Sequence, residues 1–204
     1  MKLTEIDPKT TALIVHKLQN DWAWFKPDTL AKQLERNNTI PKVASLIAAA
    51  RRAGMPVIWV AHIKRPDMME VFVPDSDAPD TVRFLIEGTP GAEFMDGIKP
   101  GPTDHLVISN RYSTFYNTDY DIRLRCLGVR TLIVVGVLIN CSVFYTTADA
   151  LDRDYNTIIV SDCVASNSEE INEFFLTKQF PIMSRVRAAE EVLAGIANAQ
   201  AQIS

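Results

Sequence analysis

The chain has little of what several common kinds of site require. Its three cysteines, Cys126, Cys141 and Cys163, are an odd number with no CxxC spacing. That excludes a disulfide framework and reads as reduced thiols in a cytoplasmic protein. The three histidines, His16, His62 and His105, stand far apart. They show no metal-ligand spacing, so neither a zinc or iron site nor any other cofactor is expected. No glycine-rich phosphate loop occurs, which removes the usual support for nucleotide binding. No uncharged run approaches the roughly 18 residues of a membrane span. The first residues hold no long apolar stretch, so a secretion signal is not expected. Positive charge is not in excess: 21 basic residues face 25 acidic ones, a net charge of −4. Nucleic acid is therefore excluded as the main partner.

What is present is a core. Of 204 residues, 47% are hydrophobic, enough for one compact α/β domain over residues 1–204. Apolar, β-branched runs alternate with helical patterns. Strands are expected at Thr11–His16, Pro56–Ala61, His105–Ser109, Thr131–Val135 and Asn156–Val160, with a short sixth at Ile182–Met183. Helices are expected at Ile40–Ala53, Asp119–Leu127, Ser168–Lys178 and Ala188–Ala199. Strands apolar on both faces indicate a mostly parallel sheet between two helical layers, a three-layer α/β/α sandwich of Rossmann-like kind. The Pro- and Asp-rich segments Asn20–Asn38 and Ile63–Pro102 read as loops or flaps over a site.

In such a sheet the ligand lies beyond the carboxyl ends of the strands. The residues there include His16, Lys17 and Asp21 after the first strand, His62 and Lys64 after the second, and Ser109 to Arg111 after the third. Asn140, Cys141 and Ser142 follow the fourth. The last three sit between a buried strand and a helix start, where backbone N–H groups can stabilise an anion. His16 precedes Lys17 in a strand, so alternation sends its side chain to the opposite face. Trp22, Tyr112 and Phe115 either line an apolar pocket or pack.

Three segments together resemble the isochorismatase-like cysteine hydrolase family over almost the whole chain. Leu13-Ile-Val-His-Lys-Leu-Gln-Asn-Asp21 is similar to its first strand and D-x-Q-N-D turn. Ser109-Asn-Arg-Tyr-Ser-Thr-Phe115 is similar to K-x-R-x-S-A-F, and Gly136 to Ala150 to G-V-x-x-x-x-C-V-x-x-T-A-x-D-A. The resemblance implies that fold, a homo-oligomer, a non-proline cis peptide near Val137–Leu138, and a catalytic Asp, Lys and Cys. Counted along the motifs, those three positions hold Lys17, Ser109 and Ser142. Three readings stay open. The chain is a pseudoenzyme that binds a small anion or serves an assembly. Or Lys17, Ser109 and Ser142 form a Ser-Ser-Lys hydrolase site for a small amide or carboxylate-bearing substrate, with Asp21, Trp22, Tyr112, Phe115, Asn140 and Cys141 around the substrate. Or it protonates a vinyl ether from Asp21 or His16. An ammonium without a carboxylate beside it is costly to bury, so Lys17 is neutral, pairs with Asp21, or meets an anionic ligand.

Overall fold

The computed structural model describes residues 6–72, 74, 75, 77 and 83–201. Its centre is one sheet of six parallel strands in the order β3-β2-β1-β4-β5-β6. They are β1 (Thr11–His16), β2 (Val57–Ala61), β3 (His105–Ile108), β4 (Thr131–Val137), β5 (Asn156–Ala165) and β6 (Arg185–Arg187). Every residue of β1 is buried, because a central strand is covered on both faces.

Period-two alternation divides the core between those faces. Leu13 and Val15 join Val57, Trp59, Ile133 and Val135 beneath α3 (Thr39–Arg52) and α7 (Ala189–Ala201). Ala12 and Ile14 join Ile58, Val60, Leu132 and Val134 beneath α4 (Tyr120–Cys126) and α5 (Phe144–Leu151). Helix α3 buries Val43, Leu46, Ile47 and Ala50, a helical stripe, and the chain turns at Gly54 with φ 69°.

Two expectations need correction. Asn20–Asn38 is largely helical: α1 (Asn20–Phe25), a π-type turn at Pro27–Ala31, and α2 (Lys32–Arg36). Pro27 opens its turn, where a missing N–H is harmless, and Leu30 and Leu34, four residues apart, anchor one buried face. The sixth strand lies at Arg185–Arg187, not at Ile182–Met183. Pro181 sits in a 3-10 turn, Phe180–Ile182, that leaves Ile182 exposed, and pairing begins beyond it with Val186 beside Ile159. Between β2 and β3 the described residues hold a 3-10 turn at Pro90–Ala92 and two isolated bridges, Lys64 with Ile86 and Phe94 with Gln19, in keeping with a long irregular segment. Positions 73, 76 and 78–82 of the expected flap lie outside the described residues. Helix α6 (Glu169–Phe174) starts at Ser168, whose hydroxyl accepts the Ile171 N–H.

Candidate functional site

Register places the ends of three strands side by side. The Lys17 N–H donates to the Val60 carbonyl and the Ser109 N–H to the Ala61 carbonyl, each at 2.8 Å. His16 stands beside Gly136 in the β1–β4 pairing. Gly136 has φ 130°, and a Cβ there would lie 1.9 Å from the His16 carbonyl oxygen. A side chain at this position would separate the two central strands just below the site. The Val137–Leu138 peptide is cis. The Leu138 carbonyl then accepts from the Cys141 and Val143 amides at 3.2 and 3.1 Å, in the π-type turn Ile139–Val143 that leads into α5.

Lys17 is wholly buried and takes φ 52°, which ends β1. That conformation breaks the strand alternation. Lys17 and His16 consequently reach the same two segments, contrary to the expectation that they face opposite ways. Lys17 Nζ donates to the Arg111 carbonyl at 2.7 Å and lies 3.1 Å from Ser142 Oγ. His16 Nε2 lies 2.9 Å from Thr114 Oγ1 and 3.2 Å from Thr146 Oγ1. Its Nδ1 faces the Val137 backbone without a hydrogen bond of ordinary geometry.

Ser109 Oγ, also buried, donates to the Arg111 and Ser113 carbonyls at 3.4 and 3.3 Å. Lys17, Ser109 and Ser142 therefore share one neighbourhood, joined through the Arg111 carbonyl. Ser109 does not stand between the other two. Ser142 is nearly buried, and Asn140 and Cys141 are half-buried beside it.

Burial sets the charge states. It lowers Lys17 from the ordinary lysine range to about 7, opposed only by the neighbouring Cys141. Among the described residues no carboxylate pairs with its Nζ, whose partners are the Arg111 carbonyl and Ser142. Burial also raises the Cys141 thiol above its usual value, with Lys17 pulling the other way. His62 is pushed down to about 3, first by burial, then by Lys17, Lys64 and Arg111. Lys64, buried with its Nζ 3.8 Å above the Phe84 ring, is lowered by burial against the pull of Asp21 and Glu70. Tyr112 is raised, by burial and then by Cys141 and Tyr145, and its exposed ring leans on Tyr145 at 5.3 Å.

Other expected site residues are engaged by protein partners. Asp21 accepts the Leu85 N–H at 2.5 Å and is packed against Gly91, so it fastens the segment between β2 and β3 to α1. Trp22 meets the Phe84 ring edge-on at 5.0 Å. Phe115 is buried against Tyr120 and Tyr155, with the Arg153 guanidinium over its ring. The sequence reading missed Gln19 as a clamp. Its side chain donates to the His62 carbonyl at 3.0 Å and accepts the His62 N–H at 2.8 Å. It also missed the Ser113 hydroxyl that donates to Asp149 of α5. Gln19, at the strand end, carries a faint signal; the hydroxyls of Thr114 and Thr146 carry none. Among the described residues no group of three or more His, Cys, Asp and Glu is placed to hold a metal ion. No helix among them is long and apolar enough to cross a membrane.

Residues 11–191 match the Isochorismatase domain. A ureidoacrylate amidohydrolase of Methylorubrum extorquens is 34% identical over 179 residues, 76% of this chain and 70% of that protein. A probable inactive nicotinamidase of Arabidopsis thaliana is 31% identical over 80% of this chain and 85% of its own length. Among solved structures, the cysteine hydrolase from Pseudomonas syringae pv. phaseolicola superposes with a TM-score of 0.81 at 26% identity, covering 95% of both chains. The match over nearly the whole domain, together with the parallel sheet and the strand-end motifs, places this chain in the isochorismatase family.

Proposed function

We propose that the chain is a hydrolase of small amides bearing a carboxylate, with Ser142 as nucleophile and Lys17 as its base. One observation carries the reading: a buried Lys17 Nζ, with no carboxylate partner among the described residues, 3.1 Å from Ser142 Oγ. A neutral amine there has two N–H donors and a lone pair. One donor satisfies the Arg111 carbonyl, and the lone pair accepts the Ser142 hydroxyl proton. Ser142 Oγ then attacks the substrate carbonyl, forming an ester as the amide C–N bond breaks. Lys17 returns the proton to the leaving nitrogen, and water cleaves the ester with Lys17 again as base. Ser109 holds the Arg111 carbonyl in place. Lys64 and Arg111, which act on His62 together with Lys17, supply the field for a substrate carboxylate. An acidic ureido amide of the kind named for the Methylorubrum relative is the first substrate to try.

Turnover should rise as pH passes about 7, where Lys17 loses its proton. Ser142→Ala and Lys17→Met should each abolish it, and the double variant should be little worse than either, because the two act as a unit. Alkylating Cys141 should change little. Unchanged turnover in Ser142→Ala rejects the mechanism.

A second reading is favoured by the same cationic neighbourhood and by the inactive nicotinamidase among the relatives. In it the site binds a small carboxylate without turning anything over. Calorimetry would then show binding weakened in Lys17→Met and unaltered in Ser142→Ala, with no amide or ester hydrolysed.

A further inference from the structure

We propose that the cleft between α2 and the start of α6 is a second binding site, built for a small neutral polyhydroxylated ligand such as a mono- or disaccharide. None of Lys17, Ser109, Cys141 and Ser142 lines it, so the proposal stands apart from the hydrolase reading.

The cleft has a volume of about 820 Å³, within the range of small-molecule sites. It lies beyond the carboxyl end of β5, the edge of a parallel sheet at which ligands gather. Its floor is Gln33 of α2, which is 4% exposed. Gln33 Oε1 accepts the Ser166 N–H at 3.0 Å and also the Asn172 Nδ2 of α6. A backbone N–H can only donate, so the amide is held one way round, with its oxygen turned inward. Its Nε2 is left for the cleft and donates no hydrogen bond among the described residues. Asn172, 8% exposed, gives its Nδ2 to this arrangement and leaves its own Oδ1 buried without a partner among the described residues. Packing that leaves one acceptor unmet in order to keep an open donor at a cleft serves a ligand rather than the core.

The walls define the ligand. Thr29, Gln33 and Arg36 follow one another at spacings of four and three, on one face of the π-type turn and α2. The side chains of Thr29 and Asn167 line the cleft without a hydrogen bond among the described residues. Most of the charges are already matched. Lys32 pairs with Asp28 at 2.9 Å, and Arg36 pairs with Glu169, bridging α2 to α6. Glu35 is the lining carboxylate without an ion pair among the described residues. An anion entering the cleft would meet Asp28, Glu35 and Glu169, and a cation would meet Lys32 and Arg36. A neutral ligand escapes both penalties. Hydroxyl groups suit every wall: they accept from Gln33 Nε2 and donate to the carboxylate oxygens that the ion pairs leave open. The lining residues include no aromatic ring, so affinity rests on hydrogen bonds and falls in the millimolar range.

The test is ligand-observed NMR on the whole protein with glucose, sucrose and myo-inositol, each titrated to about 100 mM. At least one of the three is expected to bind with a millimolar Kd. Gln33→Met should weaken that Kd about tenfold, and Thr29→Val and Asn167→Ala about threefold each, the worth of single hydrogen bonds. Circular dichroism checks each fold, and if Gln33→Met does not fold, the two variants of exposed residues decide. Ser142→Ala should leave the binding unchanged. No binding of any of the three, or wild-type binding in every cleft variant that folds, overturns the proposal. So does binding weakened in Ser142→Ala, which would move the sugar to the strand-end site. Inorganic phosphate and spermidine are titrated in parallel. Either one binding more tightly than the sugars, and losing affinity in the cleft variants, overturns the assignment to a neutral ligand.

Discussion

Among single residues, Lys17 is a basic side chain held far from its ordinary charge state by burial. Its pKa falls from about 10.5 unfolded to about 7 folded. Between those values the unfolded chain binds a proton that the folded chain does not, so folding gains as pH rises through that window. Below about 7 both states are protonated and the full penalty of the buried charge is present. Lys17→Met is therefore expected to raise stability by roughly 2–4 kcal/mol below pH 7, after allowing for the two lost hydrogen bonds. The advantage should shrink as pH climbs toward the ordinary lysine pKa. Urea titrations of both proteins at pH 6 and pH 9 check this; an equal gap at both would mean the folded lysine titrates normally. Ser142→Ala should shift stability by no more than about 1 kcal/mol, so its effect on turnover can be read without a folding defect.

At the scale of elements, the site depends on close approach of β1 to β4. Gly136 makes that approach possible, with φ 130° and no room for a Cβ against the His16 carbonyl. Gly136→Ala is expected to cost more than about 3 kcal/mol, since it combines a backbone conformation closed to alanine with a clash against main chain that cannot rotate away. Thermal unfolding measures the loss. A variant as stable as the wild type would mean that β1 and β4 are not held at this register. The next link runs through side chains: His16 to Thr114 and Thr146, and Ser113 to Asp149, tie the segment after β3 to α5. Together they fix the Arg111 carbonyl and Ser142 relative to Lys17.

At the scale of the whole molecule, two imidazoles are folded in as neutral groups. His16 sits well below the usual histidine value and His62 at about 3, each chiefly through burial. The unfolded chain protonates both near the ordinary value of 6.5, so the contribution of these two groups is fully present above that pH and is lost as pH falls toward about 3. Acid unfolding followed by tryptophan fluorescence should begin below about pH 6, and His62→Gln should move the midpoint lower. A midpoint unchanged in that variant would place the acid-sensitive group elsewhere.

The layers and the strand-end motifs were legible from residue order alone. Runs such as Thr11–His16 and Thr131–Val135 are apolar on both faces, and only a sheet covered on both sides hides them. The motif spacing was enough to put Lys17, Ser109 and Ser142 in one neighbourhood, because strand ends in a parallel sheet lie on one edge. Local chemistry misled where it was ambiguous. Polar Asn20–Asn38 folds as helices because Leu30 and Leu34 find a core the sequence does not display, and Pro181 delays β6. Which partner each group meets was set by the folded packing. It turned Lys17 with a left-handed φ toward the same segments as His16, and it assigned Asp21 to the Leu85 amide rather than to Lys17. It also took Phe115 into the core. Such choices depend on the direction of a few side chains and on contacts between segments far apart in sequence, which residue spacing does not encode.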